Sequence, residues 1–199
     1  MSKLILSGIV SLSVSVIVVV VSRLWDKHKN EKEKVNRLKG EIYALCDKII
    51  QYAYHANSRV LAGRQRYALY IEKLDPEMDR STALKYFSEY ENYSFQCQLL
   101  QTELAYKVNE IKAIWNIWEY KEIKRLLLLK EVSIFNTYEG LFEGVRMESD
   151  INALYEKEIS KLDKYLHEET FAKNLIKIQL IIDPELCQNK IQSRGWKIN

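Results

Sequence analysis

The stretch LILSGIVSLSVSVIVVVV, residues 4–21, contains no charged side chain, and a long, strongly charged remainder follows it. At the α-helical rise of 1.5 Å per residue it would be about 27 Å long, close to the hydrocarbon thickness of a membrane. A segment that crosses this layer must satisfy its own backbone hydrogen bonds, as a helix does. We therefore predict a single N-terminal transmembrane helix, with residues 1–25 as the membrane anchor.

Two other interpretations of this run compete with the anchor. A secretory signal peptide has an apolar core of about 7–15 residues and a cleavage site of small residues. The run is longer, and only the weak site at residues 20–22 follows it. A helix buried in a soluble core rarely continues so far without a charge. An anchor that stays in the membrane fits better than either.

The distribution of basic residues predicts the orientation of the anchor. Only Lys3 precedes the run, whereas six basic residues follow it closely: Arg23, Lys27, Lys29, Lys32, Lys34 and Arg37. Flanking basic residues stay on the cytoplasmic side of a membrane. We therefore expect the N-terminus outside and the body in the cytoplasm, with Arg23, Trp25, Lys27 and Lys29 at the membrane interface.

Small residues recur on one side of the predicted anchor, namely Ser7, Gly8, Ser11 and Ser15. Small residues four positions apart let two membrane helices approach closely, and hydroxyl groups can form hydrogen bonds across the contact. One interpretation is self-association in the membrane. The other is that each serine hydroxyl bonds to its own helix.

The composition of the remaining chain favours helices throughout. The 199 residues include only 6 Gly and 2 Pro, so few turns are available. The formal net charge of +3 comes from interleaved acidic and basic residues, unlike the dense basic face of a nucleic-acid-binding protein. We predict an all-α protein with a helical body at residues 26–184 and a polar tail at residues 185–199, and no nucleic acid as partner.

A heptad pattern begins shortly after the anchor. Its apolar positions alternate three and four residues apart, at Val35, Leu38, Ile42, Leu45, Ile49 and Tyr52. β-Branched residues at a and Leu at d favour a two-stranded coiled coil, which predicts a homo-oligomer. However, Cys46 and Ala53 widen the apolar face, which suits packing inside one chain. A dimer stalk and an intramolecular bundle are the two alternatives.

The rest of the body divides into two further long helical stretches. Residues 74–76, Leu-Asp-Pro, break the first helix, and a second apolar stripe runs from Tyr86 to beyond Trp118. A connection at residues 136–144 leads to a third helix that Asp183-Pro184 ends. Short links imply antiparallel neighbours, so we predict an elongated antiparallel three- or four-helix bundle or coiled coil. Alternatively, bends at Gly63 and after Trp118 create more, shorter helices.

The sequence contains no recognisable catalytic pattern. Residues three before each of the three histidines are Trp25, Tyr52 and Lys164, so no Glu-x-x-His pair for a di-iron site exists. HExxH, GxGxxG, GxxxxGK[ST] and GxSxG are also absent. The three cysteines are widely separated, which suits reduced, buried thiols. We predict no catalytic residue, no metal and no cofactor.

These observations favour a structural or interaction protein whose partners are the lipid bilayer and an unidentified protein or a second copy. Tethering would turn weak binding by the helical body into an effectively intramolecular event. One alternative is a membrane-active effector or channel-forming subunit that assembles through its transmembrane helix. A second alternative is an enzyme with an unrecognised helical site.

Overall fold

The computed structural model describes the backbone of residues 2–74, 80–112, 117–127, 140–168, 170–185 and 187–189. Side chains are described from residue 15 onward within these ranges, except at residues 117–118 and 163–171. This part of the chain contains no β-strand and forms the helices α1 Ser2–Ile71, α2 Arg80–Ile111, α3 Ile117–Leu126, α4 Glu148–Glu168 and α5 Thr170–Ile182. The predicted all-α class and helical bundle are confirmed.

The chain divides into two compact units, residues 1–40 and residues 41–199. The first unit is the amino-terminal part of α1. In the described residues no helix is both long enough and apolar enough to cross a membrane, and the side chains of residues 1–14 lie outside them. The transmembrane helix is thus not supported by the described residues and stays a prediction.

In the second unit, α1 and α2 pack side by side in antiparallel directions. Three contacts between the helices show this direction, because the residue numbers rise along α1 and fall along α2. They are Glu41 Oε2 with Lys107 Nζ at 2.9 Å, the Ile49 carbonyl with Cys97 Sγ at 3.8 Å, and Arg59 Nε with Glu89 Oε2 at 3.0 Å. The register therefore stays constant over about five helical turns of each partner.

Helices α4 and α5 also run antiparallel to α1. The amide of Gln65 donates a hydrogen bond to Asn152 Oδ1 of α4 at 2.7 Å. The amide of Gln179, in α5, donates to the Tyr43 carbonyl at 3.0 Å and to Asp47 Oδ1 at 2.6 Å. Helix α5 packs against both α3 and α4, and α3 also contacts α2. The bundle thus has α1 in contact with α2 and with the α4–α5 pair.

All five helices contribute apolar side chains to the core. The largest fully buried side chains of the second unit are Ile42, Ile49, Leu61, Leu69, Leu104, Ile111, Ile123, Ile151, Leu162, Leu175 and Ile176. Complete burial of each such side chain contributes about 1.5–3 kcal/mol of transfer free energy. The described core contains few polar side chains, and two of these, Gln65 and Gln179, bond to neighbouring helices.

The helix boundaries differ from the sequence prediction at three places, one of which divides the third predicted helix into α4, which ends at Glu168, and α5, which begins at Thr170. The second predicted helix is divided, because α2 ends at Ile111 and α3 begins at Ile117, close to the phase shift seen after Trp118. Gly63 does not end or divide α1, which continues to Ile71. Gly63 is instead buried at a close contact, since a Cβ there would lie 2.9 Å from Cε1 of Phe87.

The remaining boundary predictions are tested only in part. The break at Pro76 agrees with the end of α1 at Ile71 and the start of α2 at Arg80, although residues 75–79 themselves are not described. Residues 136–139 of the predicted connection and the tail beyond residue 189 also lie outside the described residues.

Candidate functional site

The most unusual surface of the first unit is an exposed apolar segment at residues 16–21. These six consecutive side chains, one Ile and five Val, are each 50–60% exposed. Successive residues of an α-helix are 100° apart, so six of them cover every side of α1. Apolar exposure around a complete helix is typical of a membrane span or a helix buried on all sides.

The predicted membrane-interface residues follow this segment directly. Trp25 is 72% exposed, and Arg23, Lys27 and Lys29 are exposed as well. Asp26 and Glu31 interrupt the basic residues on the same stretch of helix. The arrangement can therefore place an aromatic ring and several cations beside an apolar segment, while the acidic residues limit the local positive charge.

The predicted helix-association residues are only partly described. Ser15 is exposed on α1, whereas the side chains of Ser7, Gly8 and Ser11 lie outside the described residues. Association through these small residues stays a prediction.

Most of the predicted heptad positions of α1 are buried within the chain. Leu38, Ile42, Leu45 and Ile49 are at most 5% exposed, while Val35 and Tyr52 are half-buried. The additional apolar positions Cys46 and Ala53 are buried too. Burial across this wide face agrees with the intramolecular bundle rather than with a dimer stalk formed by the same residues.

Aromatic and charged side chains line the contact between α1 and α2. Tyr93 stacks on His55, with ring centroids 5.3 Å apart, and meets Tyr52 edge to face at 5.9 Å. The guanidinium of Arg59 lies 5.6 Å from the ring centroid of Tyr86, in addition to its ion pair with Glu89. These contacts show that Tyr86 and Tyr93 of α2 pack against side chains of α1.

A cleft of about 340 Å³ lies where the end of α1 meets the turn at residues 140–144. Tyr67, Ile71 and Phe142 give it apolar walls, and Arg64 and Glu143 also line it. The turn depends on Gly140 and Gly144, whose φ angles are +73° and +76°. A glycine adopts these left-handed angles without steric cost, so both residues suit the turn that precedes α4.

The three cysteines are buried, which agrees with the sequence expectation. Burial raises the pKa of the Cys97 thiol to about 11, and burial together with nearby ionisable groups raises the pKa of Tyr43 to about 12. Both groups therefore stay protonated at neutral pH. Within the described residues, no three His, Cys, Asp or Glu side chains are grouped so that they could hold a metal ion.

Helix α2 has a second apolar face that was not predicted from the sequence. Its exposed side chains are Leu84, Phe95, Leu99 and Tyr106. On a helical wheel they fall within about 60° of one another. The spacing of four and seven residues from Phe95 to Tyr106 was available as a signal. The longer buried stripe on the opposite side of the helix, through Cys97 and Leu104, obscured it.

Comparison of the chain with protein-family models, with curated proteins and with solved structures found no match.

Proposed function

We propose that this chain is a single-pass membrane-anchored scaffold that presents its helical bundle to protein partners or to a second copy at the cytoplasmic face. The observation that carries this proposal is the exposed apolar segment of α1, residues 16–21, at the end of a longer run without any charge. A membrane accounts for such a segment without requiring further chain or a further protein.

The distribution of these side chains around the helix supports lipid over a protein partner. A partner helix covers one stripe of its neighbour, whereas residues 16–21 are exposed on every side. Lipid chains surround a helix completely, so they remove all six side chains from water at once. The backbone of α1 is already hydrogen-bonded as a helix, which is the condition for entering the hydrocarbon layer.

The residues after the segment support one orientation. Trp25 would lie at the headgroup level, where its amphipathic ring is favoured, and Arg23, Lys27 and Lys29 would remain in the cytoplasm. The bundle then belongs to the cytoplasmic side. The anchor raises the effective concentration of the bundle at the membrane. A surface that binds a partner weakly in solution therefore binds it more strongly when both proteins are held at one membrane.

Alkaline extraction of membranes that contain the full chain tests the proposal. The variant Val16→Asp with Val19→Asp places two carboxylates in the segment, at a cost of about 2.5–3.5 kcal/mol each near the helix centre and less towards the ends. A matched control, Leu84→Asp with Phe95→Asp, changes two apolar side chains of α2 that are similarly exposed.

The unmodified chain and the control are expected in the membrane pellet after extraction, and the Val16/Val19 variant in the supernatant. Extraction of the unmodified chain into the supernatant would contradict the anchor. Retention of all three proteins in the pellet would show that residues 16–21 do not hold the chain in the membrane.

A further inference from the structure

Helix α2 has a second face that the bundle leaves in solvent. One side of α2 is buried, at seven-residue intervals through Cys97, Leu104 and Ile111. On the opposite side Phe95 and Tyr106 are 56% and 69% exposed. Phe95, Leu99 and Tyr106 are exposed on the same side of the helix, and an apolar patch of this kind marks an interaction surface more often than a single exposed side chain does.

These aromatic residues belong to a regular heptad pattern. Five exposed positions alternate three and four residues apart, and we name them the α2 seam: Asn92, Phe95, Leu99, Thr102 and Tyr106. None is charged. The hydroxyl of Thr102 donates to the carbonyl of Gln98 at 3.0 Å, so its hydrogen bond is made within α2. The seam therefore has the spacing of a coiled-coil contact surface.

We infer that the α2 seam pairs with the α2 seam of a second copy, with the two helices parallel and in register. The a positions of the seam are Asn92, Leu99 and Tyr106, and Phe95 and Thr102 are d positions. In that register each of these residues lies opposite the same residue of the second copy, so Phe95, Leu99 and Tyr106 each form an apolar layer. Asn92 occupies an a position, where one buried Asn opposite another specifies two strands and their register. A partner helix of different sequence would need a side-chain amide opposite Asn92 to make the same contact.

The charges beside the seam favour the same arrangement. In a parallel pair, each g position faces the e position five residues later on the partner helix. Glu91 then faces Gln96, and Gln98 faces Glu103, so no acidic side chain meets another. An antiparallel pair would bring e positions together instead. That edge of α2 includes the exposed Glu103, together with Glu89 and Glu110, which are ion-paired with Arg59 and Lys107. Glu103 would then approach the acidic edge of the second copy.

The pairing depends on the membrane anchor of the proposed function for its strength. Three apolar layers bury less surface than the 1,200–2,000 Å² of a typical stable interface, so two copies in solution would associate weakly. Two copies held in one membrane have a much higher effective concentration. We therefore expect dimers of the full chain in membranes.

Disulfide cross-linking of the full chain in isolated membranes tests the pairing. The variant Leu99→Cys places a thiol at the middle a layer, and oxidation with copper–phenanthroline should link two copies there. Lys161→Cys is the matched control, because Lys161 on α4 has an exposed side chain outside the seam. The three native cysteines are buried, which limits background cross-linking.

A linked dimer is expected for Leu99→Cys and not for Lys161→Cys. Adding Phe95→Gln and Tyr106→Gln to Leu99→Cys should lower the dimer yield at least about tenfold, the effect of a loss of 1.4 kcal/mol. These three residues are exposed, so their replacement leaves the core of the bundle unchanged.

Three results would overturn the inference. Equal cross-linking of Leu99→Cys and Lys161→Cys would indicate random collision, and linkage of Leu99→Cys to a different protein would indicate another partner. A chain that stays in the membrane pellet but never forms the linked dimer would refute the pairing alone. A chain absent from the pellet would refute the anchor instead, which distinguishes the two failures.

Discussion

Replacing Gly63 tests the packing of α1 on α2 with a single methyl group. Gly63 lies inside α1 and is buried. A Cβ at this position would lie 2.9 Å from Cε1 and 3.0 Å from Cδ1 of the Phe87 ring. Real Cβ atoms essentially never approach a neighbour as closely as 2.9 Å, so the ring or the helices must shift. Gly63→Ala therefore changes both helix propensity and packing.

The two effects have opposite signs. Ala is favoured over Gly in a helix interior by about 0.8–1.0 kcal/mol. Adding atoms to a well-packed contact costs about 1–3 kcal/mol. The expected net result for Gly63→Ala is a free energy of unfolding that is unchanged or lower by up to about 2 kcal/mol. In a Phe87→Ala background the clash is absent, and Gly63→Ala should raise the free energy of unfolding by about 1 kcal/mol.

The measurement is a double-mutant cycle on the full chain in detergent, with urea unfolding followed by circular dichroism. The expected coupling between Gly63→Ala and Phe87→Ala is about 1–3 kcal/mol. Gly40→Ala is the control, since a Cβ there meets nothing within 4 Å. It should stabilise by about 1 kcal/mol in both backgrounds. If Gly63→Ala behaves like this control in both backgrounds, the register of α1 on α2 is wrong.

Further predictions concern the polar contacts and one thiol. Gln179→Leu removes the donors to the Tyr43 carbonyl and the Asp47 carboxylate and should lower the free energy of unfolding by about 2–4 kcal/mol, measured by urea unfolding. Gln51→Leu, at an exposed position of α1, should change it by less than about 0.5 kcal/mol. Cys97 keeps its proton to about pH 11 in the folded chain, whereas the unfolded thiol loses it near pH 9. The free energy of unfolding should therefore fall by about 2–3 kcal/mol between these pH values. The same series of pH values measured on Cys97→Ala should lack this part of the fall.

The sequence was sufficient to predict the all-helical class and the face that α1 buries. The three–four spacing from Leu38 to Ile49 repeats along one side of a helix, and the structure buries those positions. The scarcity of Gly and Pro predicted long helices, and the gap between Ile71 and Arg80 falls around Pro76. Such features depend on periodicity within one segment, which a single sequence contains.

Contacts between segments distant in the chain could not be predicted in the same way. Gly63 looked like a bend because its small size has several explanations, and only the position of Phe87 shows which applies. The hydrogen-bond partners of Gln179 lie more than a hundred positions away in the chain, at Tyr43 and Asp47. Pairing across helices depends on register, which no local pattern determines.

The α2 seam shows a different limit of sequence analysis. Two faces of α2 have helical apolar spacing, one through Cys97 and Leu104 and one through Phe95 and Leu99. The periodicity of a single helix does not identify the face that its own chain covers. The structure makes that distinction, because it buries the first face and leaves the second exposed.

The most direct test of the membrane-anchored scaffold is the accessibility of two engineered thiols to a membrane-impermeant maleimide. Cells producing the full chain would contain either Ser2→Cys, before the apolar run, or Lys161→Cys, on the exposed surface of α4. We expect labelling of Ser2→Cys in intact cells and labelling of Lys161→Cys only after the membrane is permeabilised. Labelling of Lys161→Cys in intact cells would contradict the proposed anchor orientation and, with it, the cytoplasmic scaffold.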